Sequence, residues 1–471
     1  MGCGRTQSAL CTRAALSLAG IALLCLWSPA FVSGEVRLVR VFHRHGARSH
    51  LRKSATDLEN ETQSILMDQG AEQLRALGQY MRGLYVTGEL ESGRFTVYDL
   101  PDKYNYDDYR FVSSNLQRTL RSAAAFAEGL LPGDDVPVRS SLLDNEMIRA
   151  YASCPAVNDL QLEWFGSEEF KARESSTKDF RNRFTPYAIN GDVSMQNWWN
   201  LYDRALLART YPALGDVTGV GNMPTLTEAE FEEVRSIADY VESRKFSLNV
   251  QPTVLGATLI LNDLHSDLSR YFDGQDVPKF KAYSVHYPTL FSLLAGLGLP
   301  YSESGVSGEI PPFGGSVVIQ FEQDRDTGER ALRVVYIRNQ ALTASLSDFE
   351  WSYVGLPVCN QNDAFCNSAS MLELIAGQAR SVSEWCSACQ ISNEDQVTLC
   401  LVDGDPDSGG MSPVVAGVIG AFVTLAVIGL ILIAVFILKR RKRKESLYGS
   451  KSSHPDLATH ADYSDAQTTF W

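Results

Sequence analysis

The sequence predicts an α/β protein: a mostly parallel central sheet flanked by helices, an inserted α-helical cap, and one C-terminal transmembrane helix. Three observations predict it. Short apolar runs rich in β-branched and aromatic residues alternate with longer runs of helical period. A long middle stretch is aromatic and helical with little strand pattern. An uncharged run near the C-terminus, Val414 to Leu438, is long enough to cross a bilayer and is followed at once by Lys439, Arg440, Arg441, Lys442, Arg443 and Lys444.

The elements follow in order. Residues 1–34 carry Arg5 and Arg13, then the apolar stretch Ala14 to Trp27, then small residues up to Gly34, the pattern of a secretory signal peptide. Val36 to Phe42 reads as a strand that delivers the basic loop Arg44–Arg48. A helix is predicted from about Met67 to Tyr85, with Leu74, Leu77, Tyr80 and Met81 on one face. A second unit repeats the order: strand Tyr109–Ser113, then an alanine-rich helix Asn115–Leu131 stopped by Pro132 and Gly133. Residues 154–251, with Trp164, Phe170, Trp198, Trp199 and Tyr202, read as a helical cap set between core halves 35–153 and 252–402. The second half opens with a helix Val254–Tyr271, a strand Phe280–Val285 and a helix from about Thr289 to Leu297. A hairpin, Ser316–Glu322 with Ala331–Ile337, then returns to the sheet. Strands alternating with helices imply a sheet covered on both faces. Residues 403–413 form a linker, 414–438 the span and 439–471 a cytosolic tail.

The basic residues after the span place the tail in the cytosol, so residues 35–413 face a lumen or the cell exterior, as in a type I single-pass membrane protein. The formal net charge is −14, and the region between the two apolar segments is more acidic still, since the tail after the span is basic. Such a surface repels polyanions and excludes nucleic acid as a general partner. Its self-repulsion eases as carboxylates protonate, which fits an acidic compartment. The polar tail reads as disordered; Tyr448 and Tyr463 are candidates for sorting machinery.

Six of the nine cysteines lie in the lumenal part: Cys154, Cys359, Cys366, Cys386, Cys389 and Cys400. An even number in an oxidising compartment predicts three disulfides. Spacing favours a local loop between Cys359 and Cys366, while Cys154 has no near neighbour and must reach the C-terminal cluster. Cys386 and Cys389 have the spacing of a redox pair but lack its helix context, so a staple is expected. No cluster has the spacing of a zinc site, and no metal is expected. Asn60 begins a glycosylation sequon with Glu61 and Thr62.

Arg44, His45, Gly46, Ala47 and Arg48 describe a nucleophile held against a dianion. A neutral imidazole attacks phosphorus only if its electron pair is free and the phosphoryl oxygens are neutralised, which two guanidinium forks can do bidentately. Two more candidates sit where ligands collect in open α/β sheets, beyond the carboxyl ends of strands. They are Arg118, early in the helix after the second strand, and His286, directly after Val285.

With these residues in view the sequence resembles the histidine acid phosphatases, the branch of the histidine phosphatase superfamily that includes lysosomal and prostatic acid phosphatases and phytases. RHGAR matches the first five positions of the family's RHGxRxP. The likeness continues through Ser113–Arg121, CPAVNDL from Cys154, YSVH ending at His286, PPFGGS and VVYIRN. Together with the span and short tail it is nearest to membrane-bound endosomal or lysosomal acid phosphatases, including those of trypanosomatids. The resemblance implies a phosphoglycerate-mutase-like core with a helical cap, hydrolysis of phosphate monoesters or phosphoproteins through a phosphohistidine, and no cofactor. Carried over by position, His45 is the nucleophile, Arg44, Arg48 and Arg118 bind the phosphoryl oxygens, and His286 stabilises the transition state. A homodimer is compatible with it. Two positions depart: His50 stands where the motif has proline, and Tyr287 occupies the place of the general-acid aspartate. That second departure leaves open a low-activity or inactive phosphatase-like glycoprotein acting in binding or endosomal trafficking.

Overall fold

The computed structural model describes residues 34–51, 64–214, 223–250, 253–299, 301–302, 305–339, 345–359, 366–392, 397 and 399–400. The signal peptide through residue 33, Asn60, the transmembrane segment and the tail lie outside the described residues. Among the described residues no helix is long and apolar enough to cross a membrane.

The sheet is built around β1 (Glu35–Arg44), whose side chains alternate between two faces in the period of a strand. Val39 and Val41 join one apolar cluster with α1 (Asp68–Met81) and α2 (Gln117–Leu130). Leu38 and Phe42 join another on the opposite face. β2 (Tyr109–Ser113) precedes α2 in the chain. A run of helices follows: α3 (Leu142–Ile148), α4 (Pro155–Phe165), α5 (Glu168–Ser176), α6 (Lys178–Asn182), α7 (Trp199–Thr210) and α8 (Glu228–Ser247). α9 (Thr258–Phe272), β3 (Phe280–Val285) and α10 (Tyr287–Gly296) return the chain to the core. β4 (Ser316–Gln323), β5 (Arg330–Asn339), β6 (Phe349–Val354), the two-residue β7 (Cys366–Asn367), α11 (Ser368–Gln378) and α12 (Val382–Ala388) complete it.

Neighbouring strands run in the order β2-β3-β1-β4-β5-β6, with β7 beside β5. β2, β3 and β1 are parallel, with Val39 opposite Phe280 and Tyr109 opposite Phe280 on the other side. Every pairing beyond β1 is antiparallel. The expectation of a mostly parallel sheet is therefore corrected to a mixed one. The cause is connection length, since a parallel neighbour needs a crossover while β4 and β5 are joined by a short turn in which Asp324 Oδ1 accepts from the Asp326 and Thr327 amides.

The described part of 154–250 has no strand, only helices and an isolated bridge to residue 253. Its core gathers Trp164, Phe170, Trp198, Trp199, Tyr202, Val234, Ile237 and Val241. Tyr287 and Phe291 of α10 belong to the same cluster, so this layer packs directly onto the end of β3. Disulfides join Cys154 to Cys389, Cys359 to Cys366 and Cys386 to Cys400. Cys386 and Cys389 are thus staples to different partners and do not form a redox pair.

Candidate active site

The carboxyl ends of β1, β3 and β2 lie side by side, Arg44 opposite Val285 and Ser113 opposite Ser284. Parallel pairing here brings residues distant in sequence to one edge. His45 follows β1, His286 follows β3 as the N-cap of α10, and Arg118 is the second residue of α2.

The loop after β1 is fixed through its backbone. The His45 amide donates to the Val285 carbonyl (3.1 Å), Gly46 N to Ser122 Oγ (3.1 Å) and Ala47 N to Gln73 Oε1 (3.0 Å). Gly46 faces the start of α1 so closely that a Cβ there would stand 2.1 Å from the Gly70 carbonyl oxygen. Glycine is needed for that approach.

His45 is 2 % exposed. Its Nδ1 lies 2.8 Å from the Gly46 carbonyl oxygen. A carbonyl only accepts, so Nδ1 carries the proton and Nε2 keeps the lone pair. Burial, then Arg118, Arg44 and Arg48, push its pKa well below the ordinary value. The imidazole is consequently neutral, as a nucleophile must be. The His286 ring stands edge-on to it, centroids 5.4 Å apart. Its Nε2 shares a hydrogen bond with the Ser114 hydroxyl (3.0 Å). Burial, Arg118, His45, Arg149 and Arg44 lower its pKa as well. Arg149, at the end of α3, was not singled out by sequence, and only its charge beside His286 reveals it.

Arg44 donates from Nη1 to the Pro311 carbonyl (2.6 Å), while Nε and Nη2 are buried without a hydrogen-bond partner. Burial and then Arg48 lower its pKa to about 10. The Phe313 ring lies 4.3 Å from its guanidinium carbon and the Tyr287 ring 5.2 Å away. Arg48 is engaged differently, its two Nη atoms donating to both Asp203 oxygens at 2.9 and 3.0 Å. Asp203, on α7, also accepts from His50 Nδ1 (2.9 Å) and the Leu51 amide (3.0 Å). Burial opposes its ionisation, but Arg48 and His50 outweigh it and hold the carboxyl well below the usual range. His50 at the motif's proline position thus ties the loop exit to α7. Asp203 escaped the sequence because nothing local marks a carboxylate 155 residues from its partner.

Tyr287 does not present a free hydroxyl. It donates to Glu242 of α8, and its ring stacks on Trp199 with centroids 4.7 Å apart. Asp263 and Asp267 of α9 pair with Lys281 and Arg40 of the sheet. A cleft of about 950 Å³ reaches the cluster through Arg44 and Phe313, with Tyr202, Phe231, Asp239 and Tyr336 among its walls.

Arg44, Arg48 and Arg118 thus crowd positive charge around the His45 imidazole, and Arg44 and Arg118 around that of His286. The chain's comparisons agree with that chemistry. Human prostatic acid phosphatase is 23 % identical over 408 residues, covering 83 % of this chain and 97 % of that one. Lysosomal acid phosphatase of Xenopus laevis is 22 % identical over 398 residues, covering 80 % and 84 %. The phytase of Hafnia alvei in complex with tartrate has the same fold, TM-score 0.56 at 15 % identity, covering 78 % of this chain and all of that one. Residues 49–337, beginning just after the RHGAR loop, match the histidine phosphatase superfamily (branch 2), and the chain belongs to that superfamily.

Proposed function

We propose that the protein is a membrane-anchored acid phosphatase that hydrolyses phosphate monoesters through a phosphohistidine, working in an acidic lumen or at the cell surface. The observation that carries this is the His45 tautomer: Nδ1 tied to the Gly46 carbonyl, Nε2 bearing the lone pair, and three arginines around it. Its acid phosphatase relatives, covered over most of their length, support the same reading.

In the first step Nε2 of His45 attacks phosphorus while Arg44, Arg48 and Arg118 hold the phosphoryl oxygens and His286 donates to them as charge spreads. The alcohol departs, leaving N-phosphohistidine. Water then attacks phosphorus, the N–P bond breaks, and the electron pair returns to Nε2. Asp203 orients the Arg48 fork; being ionised, it does not donate protons. The lumenal placement of residues 35–402, the cap at 154–251 and the span at 414–438 belong to this proposal on the sequence pattern.

Purified full-length protein is expected to turn over p-nitrophenyl phosphate near pH 5, and radiolabelled ester to leave label on His45. His45→Ala should abolish both; label on another side chain, or product without label, would refute the mechanism. One observation favours a second reading. The general-acid position holds Tyr287, whose hydroxyl is committed to Glu242, as expected of a phosphatase-like binding or trafficking glycoprotein. That reading predicts phosphate or tartrate binding dependent on Arg48 and Arg118 with no product release.

A further inference from the structure

The missing acid has a candidate in the cap. Five carboxylates of α7 and α8 face the cluster or its cleft: Asp203, Glu228, Glu232, Asp239 and Glu242. Asp203 is ionised against Arg48, Glu242 already accepts from the Tyr287 hydroxyl, and Glu228 and Glu232 are solvent-accessible and paired with Arg209 and Arg235. Asp239 remains. Its Oδ1 accepts from the Ile310 amide at 2.8 Å, while Arg44 Nη1 donates to the carbonyl of the very next residue, Pro311. Carboxyl and guanidinium are thus anchored one residue apart on the same segment, and both line the cleft that leads to the phosphoryl site. We infer, on the reading of the protein as a phosphatase, that Asp239 is the proton donor to the departing alcohol, in place of the aspartate absent at Tyr287.

The step balances. As the N–P bond to His45 forms, the P–O bond breaks with its electron pair on the ester oxygen, and the Asp239 carboxyl proton moves to that oxygen to give the free alcohol. The Asp239 carboxylate then takes one proton from the attacking water, whose oxygen bonds to phosphorus as the N–P bond breaks. Acid and nucleophile are both restored. Asp239 is suited to this. Desolvation raises its pKa to about 7 against the Ile310 amide and Arg235, so it is protonated at acidic pH and still able to release the proton. The charged and titratable groups that face it are Arg235 and Glu232 on its own helix, Glu309 beside the Ile310 segment, Tyr202 from α7, and Tyr336 and Arg44 from the sheet.

Leaving-group chemistry separates this role from a structural one. p-Nitrophenolate leaves without a proton, whereas an alkoxide needs one, and a lost general acid typically costs about 10²- to 10⁴-fold. In the full-length protein, Asp239→Asn should lower glycerol phosphate turnover about 100-fold or more, yet keep the first-turnover release of p-nitrophenol within about tenfold. It should also remove a fall in glycerol phosphate activity above pH 7. Equal losses on both esters, or an unchanged alkyl rate, would overturn the assignment. If Asp239→Asn does not fold, Asp239→Glu decides, with a displaced alkaline limb expected and an unmoved one refuting. Labelling of His45 in the unsubstituted protein is scored separately, so a failure of the phosphohistidine reading is not mistaken for a failure here.

Discussion

His43 shows how a residue beside the proposed nucleophile can matter without touching chemistry. It is 1 % exposed, its ring stacks on Phe126 with centroids 4.7 Å apart, and burial takes its pKa to about 3 despite the neighbouring Arg44 backbone. Unfolded, the same histidine titrates near 6.5. As pH falls below that value the unfolded chain binds a proton that the native one refuses, so stability declines from about pH 6.5 toward pH 3, by roughly 1.4 kcal/mol per unit at most. His45 and His286 add to the decline in the same sense. His43→Leu is expected to shrink the drop in melting temperature between pH 7 and pH 5. Paired thermal scans at the two values measure it, and an undiminished drop would remove His43 from the account.

At the scale of elements, the contact between the β1 loop and the start of α1 is the least forgiving. Gly46 and Gly70 face each other, and a Cβ on either would stand 2.1 Å from a backbone oxygen of the other segment. Gly46→Ala must therefore push α1 away from the loop, at a cost on the order of 2–4 kcal/mol, visible as a lower urea midpoint together with lost phosphatase turnover. Local pattern predicted the elements well where it had something to read: Tyr109–Ser113 and Phe280–Val285 are strands over those same residues. Period two and period 3.6 report which face of an element is apolar, but not what that face meets. That is why the pairing of Asp267 with Arg40 left no mark in the local pattern, and why β6, with alternating exposed positions on an edge, passed unread. RHGAR, Arg118 and His286 were legible because each stands at the end of a strand. Asp203, Asp239 and Glu242 were not, since a carboxylate in a helical layer has no local mark of the site it faces.

Across the whole molecule, the bond between Cys154 and Cys389 closes a span of 235 residues, from the entrance of the helical layer to α12. Replacing both cysteines by serine should lower stability by about 2–5 kcal/mol, read as a shift of the urea midpoint without a large change in slope. The order of strands carries a different consequence. β1 and β2 are both made early, yet neither touches the other; β3 stands between them, and β4 covers the far side of β1. A chain emerging from the ribosome therefore presents His45 long before the ladders on either side of β1 can form. Until residue 280 has been translated, β1 has only its bridge at Val97 and no strand beside it, and the edge that carries His45 assembles late in biosynthesis, after its helical roof has already been delivered.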